Sequence, residues 1–125
     1  MGEFIRGDVV VLPFPFSNLA ASKRRPALVL ASAAPHDDVI LCMITSRHTR
    51  DTNAVPLDQA DFTEGGLPQA SNARPNRLFT AEPSIILRKA GRLTPDKLGA
   101  VVESVIRIVS GDQAGAASID EAQSG

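Results

Sequence analysis

Short apolar runs separated by turn-forming residues occupy the N-terminal part of the chain. Residues 9–12, 26–31 and 39–44 are almost unbroken apolar runs, which predicts three strands, the first of them buried and the third covered on both faces. Weaker strand patterns and one stronger one follow, at residues 54–57, 70–73, 77–81 and 84–87. Five to seven short strands with turn signals between them predict a mainly β fold built on a small, strongly bent sheet or barrel.

Prolines, glycines and polar clusters predict where these strands begin and end. We expect Pro13 and Pro15 to end the first strand and Pro26 to begin the second, because proline has no amide hydrogen to donate to a strand ladder. The polar residues 46–53 predict an exposed loop. The acidic residues 58–66, which end in two glycines, predict a turn.

The second and third apolar runs are joined by the turn-like residues 32–38, which predicts an antiparallel pair. In such a pair the start of one strand lies beside the end of the next. We therefore expect Arg25 and Thr45, twenty residues apart in sequence, to meet on one rim of the fold.

The C-terminal part of the chain predicts an amphipathic helix. Thr94 is a candidate N-cap, Pro95 suits the first helical position, and Asp96 favours the positive end of the helix. The predicted inner face consists of Leu98, Val101, Val102, Val105, Ile108 and Val109, whereas Lys97, Glu103, Ser104 and Arg107 fall elsewhere. Ser110 and Gly111 should end the helix. Residues 1–110 then form a single domain, and the acidic residues 111–125 are predicted to be disordered.

Composition narrows the class of protein. A chain of 125 residues with 43% apolar residues suits one domain with one modest core. The formal net charge is −1, but residues 51–68 and 111–125 hold half of the fourteen acidic side chains and no Lys or Arg. The remainder has seven acidic and thirteen basic side chains, an excess that favours binding of a polyanion.

Cysteine, histidine and hydropathy patterns exclude several classes of site. Cys42 is the single cysteine and lies in an apolar run, so we expect a small buried side chain and no intrachain disulfide. No cluster of His, Asp or Glu has metal-ligand spacing, and we predict no metal or other cofactor. No apolar run has the length of a membrane span, and the N-terminus lacks the pattern of a signal peptide, so a cytoplasmic location is expected.

Four short motifs carry a family resemblance. In order, these are Gly7-Asp8-Val9-Val10, Arg25-Pro26-Ala27-Leu28-Val29, Thr45-Ser46-Arg47 after the third apolar run, and Gly91-Arg92-Leu93 before the helix. Over about residues 6 to 110 the chain resembles the MazF/PemK family of toxin endoribonucleases.

The resemblance implies a fold, an activity and partners. The fold would be an SH3-like barrel of the CcdB/MazF type, with five to seven short strands and a C-terminal helix. The activity would be that of a type II toxin, a metal-independent endoribonuclease that cleaves single-stranded RNA at short sequences. The partners would be single-stranded RNA, a second copy in a homodimer, and an acidic, partly disordered cognate antitoxin that competes with RNA for Arg25.

Arg25 and Thr45 are the predicted catalytic residues. The resemblance places a functional arginine at the Arg-Pro position, and a guanidinium fork stabilises the charge that develops on a phosphorane. Proton transfer to the leaving oxygen is a second possible role, although the high pKa of arginine favours charge stabilisation. Thr45 matches the family's threonine after the third strand. The structural alternatives are an Arg25 paired with a surface carboxylate and a Thr45 that is simply a strand residue.

Residues around this pair are predicted to bind RNA. Basic side chains would contact phosphates, an aromatic side chain would stack on a base, and polar side chains would complete the site. The predicted set is Phe16, Lys23, Arg24, Ser46, Arg47, His48, Arg74, Asn76 and Arg77, with Arg50 as a further basic residue. Phe14 and Phe16 have the alternative role of closing one end of the barrel, and any of the basic residues has the alternative of a solubilising charge.

Asn76 departs from the family's pattern. PemK-like members often have an Arg-x-Asp arrangement in which the carboxylate is a possible general base, whereas Arg74 is followed here by Asn76, which accepts no proton at neutral pH. Three alternatives are open: the base lies elsewhere, cleavage is weak, or the role is not essential in this chain. His48 is a candidate replacement base, with the alternative of a solvated loop side chain. Two other functions remain open: a gyrase-poisoning toxin of related fold, which the absence of Trp disfavours, and a catalytically silent RNA-binding barrel.

Overall fold

A computed structural model describes residues 4–14, 23–33, 37–46 and 51–111 of the chain. The strands are β1 (Asp8–Phe14), β2 (Lys23–Ala33), β3 (Asp38–Thr45), β4 (Val55–Leu57), β5 (Phe62–Gly65), β6 (Ser71–Ala81) and β7 (Arg88–Leu93). Helix α1 (Pro95–Ser110) follows β7, and two 3-10 turns cover Gln59–Asp61 and Pro83–Ile85. All strands pair antiparallel in one curled sheet of order β4-β6-β3-β2-β1-β7-β5, which confirms the predicted fold class. No helix in the described residues is long and apolar enough to cross a membrane.

The three apolar runs form the centre of the sheet, where both faces are covered. Successive side chains of a strand point to opposite faces, and the core accordingly divides into two clusters. One contains Val9, Leu28 and Cys42 and lies beneath α1, whose Val101 is fully buried. The other contains Val10, Leu12, Phe14, Ala27, Val29 and Leu41. The predictions that residues 9–12 form a buried strand and that residues 39–44 are covered on both faces are correct.

Phe14 belongs to the second cluster. Its side chain is 1% exposed, and its ring makes an edge-to-face contact with Phe79 at a centroid distance of 4.9 Å. An aromatic ring so enclosed has no face free for a base. Of its two predicted roles, Phe14 therefore has the structural one.

Helix α1 begins and ends as predicted. The Thr94 hydroxyl accepts a hydrogen bond from the Lys97 amide, Pro95 occupies the first turn, and Gly111 caps the C-terminus in the left-handed region at φ 80°. Two side-chain predictions are wrong, because the sheet covers only part of the helix. Ser104 is buried and its hydroxyl donates to the Asn53 carbonyl at 3.4 Å, and Val109 is 69% exposed.

The predicted limits of β1 and β2 are wrong. Strand β1 continues through Pro13, which pairs with Arg24, and β2 begins three residues before Pro26. The sheet tolerates Pro13 because β7, the other neighbour of β1, pairs only as far as Val11. Arg25 consequently lies within a paired strand.

Strand β6 runs through Pro75, where the sequence predicted two separate strands. Cys42 of β3 pairs with Leu78 and Ile44 pairs with Ala73, so residues 74–77 of β6 form a bulge opposite one residue of β3. A bulge accommodates proline because the ladder is interrupted there. The Cys42 thiol donates to the Arg74 carbonyl at 3.2 Å and so satisfies one of the carbonyls that the bulge frees.

Two further strand predictions are wrong. Residues 84–87 are not a strand: Pro83 starts a 3-10 turn in which the Ile85 and Ile86 amides donate to the Glu82 and Pro83 carbonyls, and the strand follows at Arg88–Leu93. Residues 62–65, expected within a turn, form β5 and pair with β7. A local turn at Pro83 decides the first case, and pairing with a distant segment decides the second.

Two of the four motifs join strands and lie away from the cleft described below. Gly7, at φ 96°, donates its amide to the Val29 carbonyl and accepts from the Leu93 amide, linking β2 and β7 to the start of β1. Asp8 is 2% exposed and accepts a hydrogen bond from Arg92 Nε at 3.1 Å. At Gly91 a Cβ atom would lie 2.6 Å from the Glu64 carbonyl oxygen, so β5 approaches β7 closely because glycine is there.

Candidate functional site

A cleft of about 530 Å³ opens where β1, β2, β3 and β7 meet the segment between β5 and β6. Its apolar lining comes from Val11, Pro26, Ile44, Leu67, Pro68 and Leu87, and its polar lining from Arg24, Arg25, Thr45, Ser46, Gln69, Ser71 and Arg88. A largely apolar concavity with a few convergent polar groups is the usual form of a ligand site.

Arg25 and Thr45 both line this cleft, although twenty residues separate them in sequence. In the antiparallel pair of β2 and β3, Ala27 lies opposite Met43. Continuing that register by two residues brings Arg25 opposite Thr45 at the ends of their strands. The two residues thus lie on one rim of the fold, as expected.

Arg25 is half-buried, and no carboxylate of the described residues lies within ion-pair distance of its guanidinium. The alternative of a surface arginine paired with a carboxylate therefore has no support in the described part of the chain. Two more guanidinium groups, from Arg24 and Arg88, line the same cleft, and no described Asp or Glu lines it. Like charges held together at a low-dielectric wall attract an anionic ligand.

The other cations of β7 are neutralised. Lys89 Nζ lies 2.8 Å from Glu64 Oε2, and Arg92 Nη2 lies 3.1 Å from Asp8 Oδ1. The hydrogen bond from Lys89 lowers the pKa of the Glu64 carboxyl and raises that of the Lys89 ammonium. Of the three cations on this strand, only Arg88 lines the cleft.

The remaining predicted site residues are distributed differently. Ser46 lines the cleft, and Lys23 is exposed at the start of β2. Arg74 forms an ion pair with Asp51, with Nε 3.0 Å from Oδ2, and does not line the cleft. Asn76 and Arg77 line a second cavity of about 380 Å³ that shares no lining residue with the cleft. Phe16, Arg47, His48 and Arg50 lie outside the described residues.

Cys42 is a buried core residue, as the sequence predicted. Burial raises the pKa of its thiol to about 12, so it stays protonated at physiological pH. Among the residues that the structure describes, no group of three or more His, Cys, Asp or Glu side chains is placed to hold a metal ion.

Sequence reasoning missed Arg88 and Gln69. A signal for Arg88 was present, because it adjoins an apolar run much as Arg25 does. Nothing in the sequence marks Gln69, which reaches the cleft because the chain turns back there from β5 to β6.

Comparisons with known proteins agree on the architecture. A family model described as PemK-like, MazF-like toxin of type II toxin-antitoxin system matches residues 5–109. The chain has no significant match among curated protein sequences.

Solved structures similar to this chain include MazF from Deinococcus radiodurans, at a TM-score of 0.69 and 22% identity over 88% of this chain and 99% of that one. A mycobacterial endoribonuclease in complex with its cognate antitoxin matches at a TM-score of 0.68 and 14% identity, over 86% and 95% of the two chains. The Mycobacterium tuberculosis toxin MazF-mt6 matches at 0.64 and 20%, over 82% and 96%. At these identities the structural similarity concerns the fold.

Proposed function

Because this chain belongs to the PemK-like, MazF-like family of type II toxin-antitoxin toxins, we propose that it is an endoribonuclease that cleaves single-stranded RNA at short sequences without a metal ion. The observation that carries the proposal is the convergence of Arg25 and Thr45, from neighbouring strands, on one cleft without acidic lining in the described residues. The names of similar structures agree with this activity, since two mycobacterial relatives are endoribonucleases.

The reaction uses the 2'-hydroxyl of the RNA itself as the nucleophile. The 2'-oxygen forms a bond to the adjacent phosphorus as its proton leaves, the bond from phosphorus to the 5'-oxygen breaks, and that oxygen takes up a proton. The products are a fragment ending in a 2',3'-cyclic phosphate and a fragment beginning with a 5'-hydroxyl. Negative charge grows on the phosphorane oxygens, and donors already aimed at that charge lower the barrier.

Arg25 supplies those donors. Arg25 is half-buried at the cleft, and its guanidinium makes no ion pair with a described carboxylate that RNA would first have to displace. A fork of N–H groups matches two phosphate oxygens at once. The Thr45 hydroxyl, on the opposite strand, orients the 2'-hydroxyl or donates to a non-bridging oxygen. Arg24 and Ser46, also in the cleft, contact the flanking chain.

The same cleft is a suitable site for an inhibitory partner. Solved relatives include an endoribonuclease with its cognate antitoxin and a MazE-MazF complex. By extension, this chain acts in the cytoplasm as a homodimer, and an acidic antitoxin segment covers the guanidinium groups that RNA otherwise contacts. Antitoxin and RNA then compete for Arg25.

Cleavage and binding by Arg25→Ala and Thr45→Ala variants test the proposal. Single-stranded RNA is incubated with each variant in EDTA, with Arg107→Ala on the exposed side of α1 as the control. Loss of Arg25 should reduce the cleavage rate by about 10² to 10³, the effect of removing one transition-state donor. Loss of Thr45 should reduce it by about tenfold. Binding should weaken far less than cleavage.

Three results would oppose the proposal. RNA that binds without being cleaved would favour a silent RNA-binding barrel. A protein that neither binds nor cleaves RNA would favour a toxin that acts on another target. Equal cleavage by wild type and Arg25→Ala would remove Arg25 from the chemistry.

A further inference from the structure

We infer that Arg88 and Gln69 form a subsite for the nucleotide next to the scissile bond, in which Arg88 binds its phosphate and Gln69 hydrogen-bonds its base. Neither residue has a role in the chemistry proposed above, yet both line the cleft. The inference rests on the proposed function and adds a position at which the protein would distinguish one base from another.

The state of the charges on β7 singles out Arg88. Lys89 lies within 4 Å of two carboxylates, at 2.8 Å from Glu64 and 3.5 Å from Asp8, and Arg92 lies 3.1 Å from Asp8. Arg88 is exposed and makes no ion pair with any described residue. Two cations of the strand thus stabilise the fold, whereas the third is available to an external anion.

The strand order sets the distance between Arg88 and the catalytic arginine. Val11 of β1 pairs with Pro26 of β2 on one side and with Arg88 of β7 on the other. Neighbouring strands lie about 4.8 Å apart, so the backbones of Pro26 and Arg88 are separated by about 10 Å. Arg25, which precedes Pro26 on β2, and Arg88 on β7 both line the cleft, so two cations face it from strands on either side of β1. A strand of RNA across the cleft presents one phosphate to each.

Gln69 stands on a segment that is fixed at both ends. The side-chain Nε2 of Gln59 donates to the Gly65 carbonyl at 2.9 Å, and Leu67 packs against the core cluster beneath α1. At the other end, the Ser71 hydroxyl donates to the Gln69 carbonyl at 3.0 Å. The Gln69 side chain itself is exposed. Because the backbone is already held, binding through Gln69 costs the torsional freedom of one side chain and not the ordering of the whole segment.

Each side chain suits a different part of a nucleotide. A primary amide has a donor beside an acceptor and so matches a base edge, which single-stranded RNA leaves free. A guanidinium binds phosphate whatever the base. Arg88 should therefore contribute affinity that depends on salt, and Gln69 should contribute selectivity that does not.

Binding of labelled single-stranded RNA homopolymers separates the two effects. Dissociation constants for oligo(A), oligo(C) and oligo(U) are measured in EDTA over a range of salt concentrations, for wild type, Arg88→Gln, Gln69→Ala and the control Arg107→Gln. Arg88→Gln should weaken binding to all three by a similar factor and reduce the slope of log K against log salt by about 0.7. Gln69→Ala should leave the slope unchanged and reduce the ratio between the tightest and weakest homopolymer by about fivefold. Arg107→Gln should match wild type.

An unchanged salt slope in Arg88→Gln would overturn the phosphate contact, and an unchanged homopolymer ratio in Gln69→Ala would overturn the base contact. Cleavage by the wild type is measured in parallel and separates this inference from the proposed function. If the wild type cleaves RNA but neither variant changes binding, only the subsite is overturned. If both variants change binding as predicted but the wild type does not cleave RNA, the proposed nuclease activity is wrong and the subsite stands. Absence of RNA binding overturns both.

Discussion

Replacing Asp8 with alanine should destabilise the fold more than the loss of an exposed ion pair of the sheet would. The Asp8 side chain is 3% exposed, and its two oxygens have different partners. Oδ2 accepts a hydrogen bond from the Ile5 amide at 3.0 Å, and Oδ1 lies 3.1 Å from Arg92 and 3.5 Å from Lys89. Alanine leaves the amide and both cations without this acceptor.

The exposure of the cations limits the cost. Breaking a fully buried pair costs about 3–5 kcal/mol because the remaining charge stays uncompensated. The side chains of Arg92 and Lys89 are 36% and 31% exposed, so both can regain water. We therefore expect a loss of about 2–3 kcal/mol in the free energy of unfolding, which includes the unpaired Ile5 amide. For a domain of this size that lowers Tm by about 8–13 °C.

Urea unfolding of Asp8→Ala, Arg92→Ala and the double variant measures this cost. The losses of unfolding free energy in the two single variants should sum to about 1–2 kcal/mol more than the loss in the double variant, which is the coupling expected for residues in direct contact. Glu64→Ala, which removes the exposed partner of Lys89, is the matched control and should change stability little. Additive losses, or a loss in Asp8→Ala no larger than in Glu64→Ala, would refute this account of the motif.

Three other outcomes follow from the structure. Gly91→Ala should lower the free energy of unfolding by about 1–3 kcal/mol, because the added Cβ would meet backbone atoms of β5 and the following turn at 2.6 and 2.8 Å. Gly99→Ala has no atom within 4 Å of the added Cβ and should raise the free energy of unfolding by up to about 1 kcal/mol in the same assay. Cys42, whose thiol pKa is raised to about 12, should react with a thiol reagent at mildly alkaline pH only after unfolding, and rapid labelling of the native protein would contradict its burial. Asn76→Asp should leave the rate of RNA cleavage unchanged, because Asn76 lines a different cavity from Arg25, and a large gain in rate would place the missing base there.

The central strands were predictable because their apolar runs are buried on both faces. Strand β7 was not, because its sequence has three cations and a glycine in six residues. It is a strand because it pairs with β1 and β5, segments far away in sequence. The apolar residues 84–87 look more like a strand, but Pro83 favours a turn at their start and Leu87 is 51% exposed beside the cleft. The local sequence pattern does not predict pairing between segments that are distant in sequence.

The candidate site divides in the same way. Arg25 and Thr45 lie on adjacent strands joined by a short connection, so the antiparallel register alone predicts their approach. Arg88 and Gln69 join them only because β7 lies beside β1 and the segment before β6 folds over the cleft. Arg74 forms an ion pair with Asp51, 23 positions away, and no sequence motif predicts this pairing.

We propose that RNA is cut in the cleft by attack of the RNA's own 2'-hydroxyl, with Arg25 stabilising the charge that develops. Mapping the ends of one long defined RNA after incubation in EDTA tests this proposal. We expect discrete cuts at a few short sequences, each leaving a 2',3'-cyclic phosphate upstream and a 5'-hydroxyl downstream, with all cuts strongly reduced in Arg25→Ala. Intact RNA, fragments that begin with a 5'-phosphate, or the same cuts in the Arg25→Ala variant would contradict it.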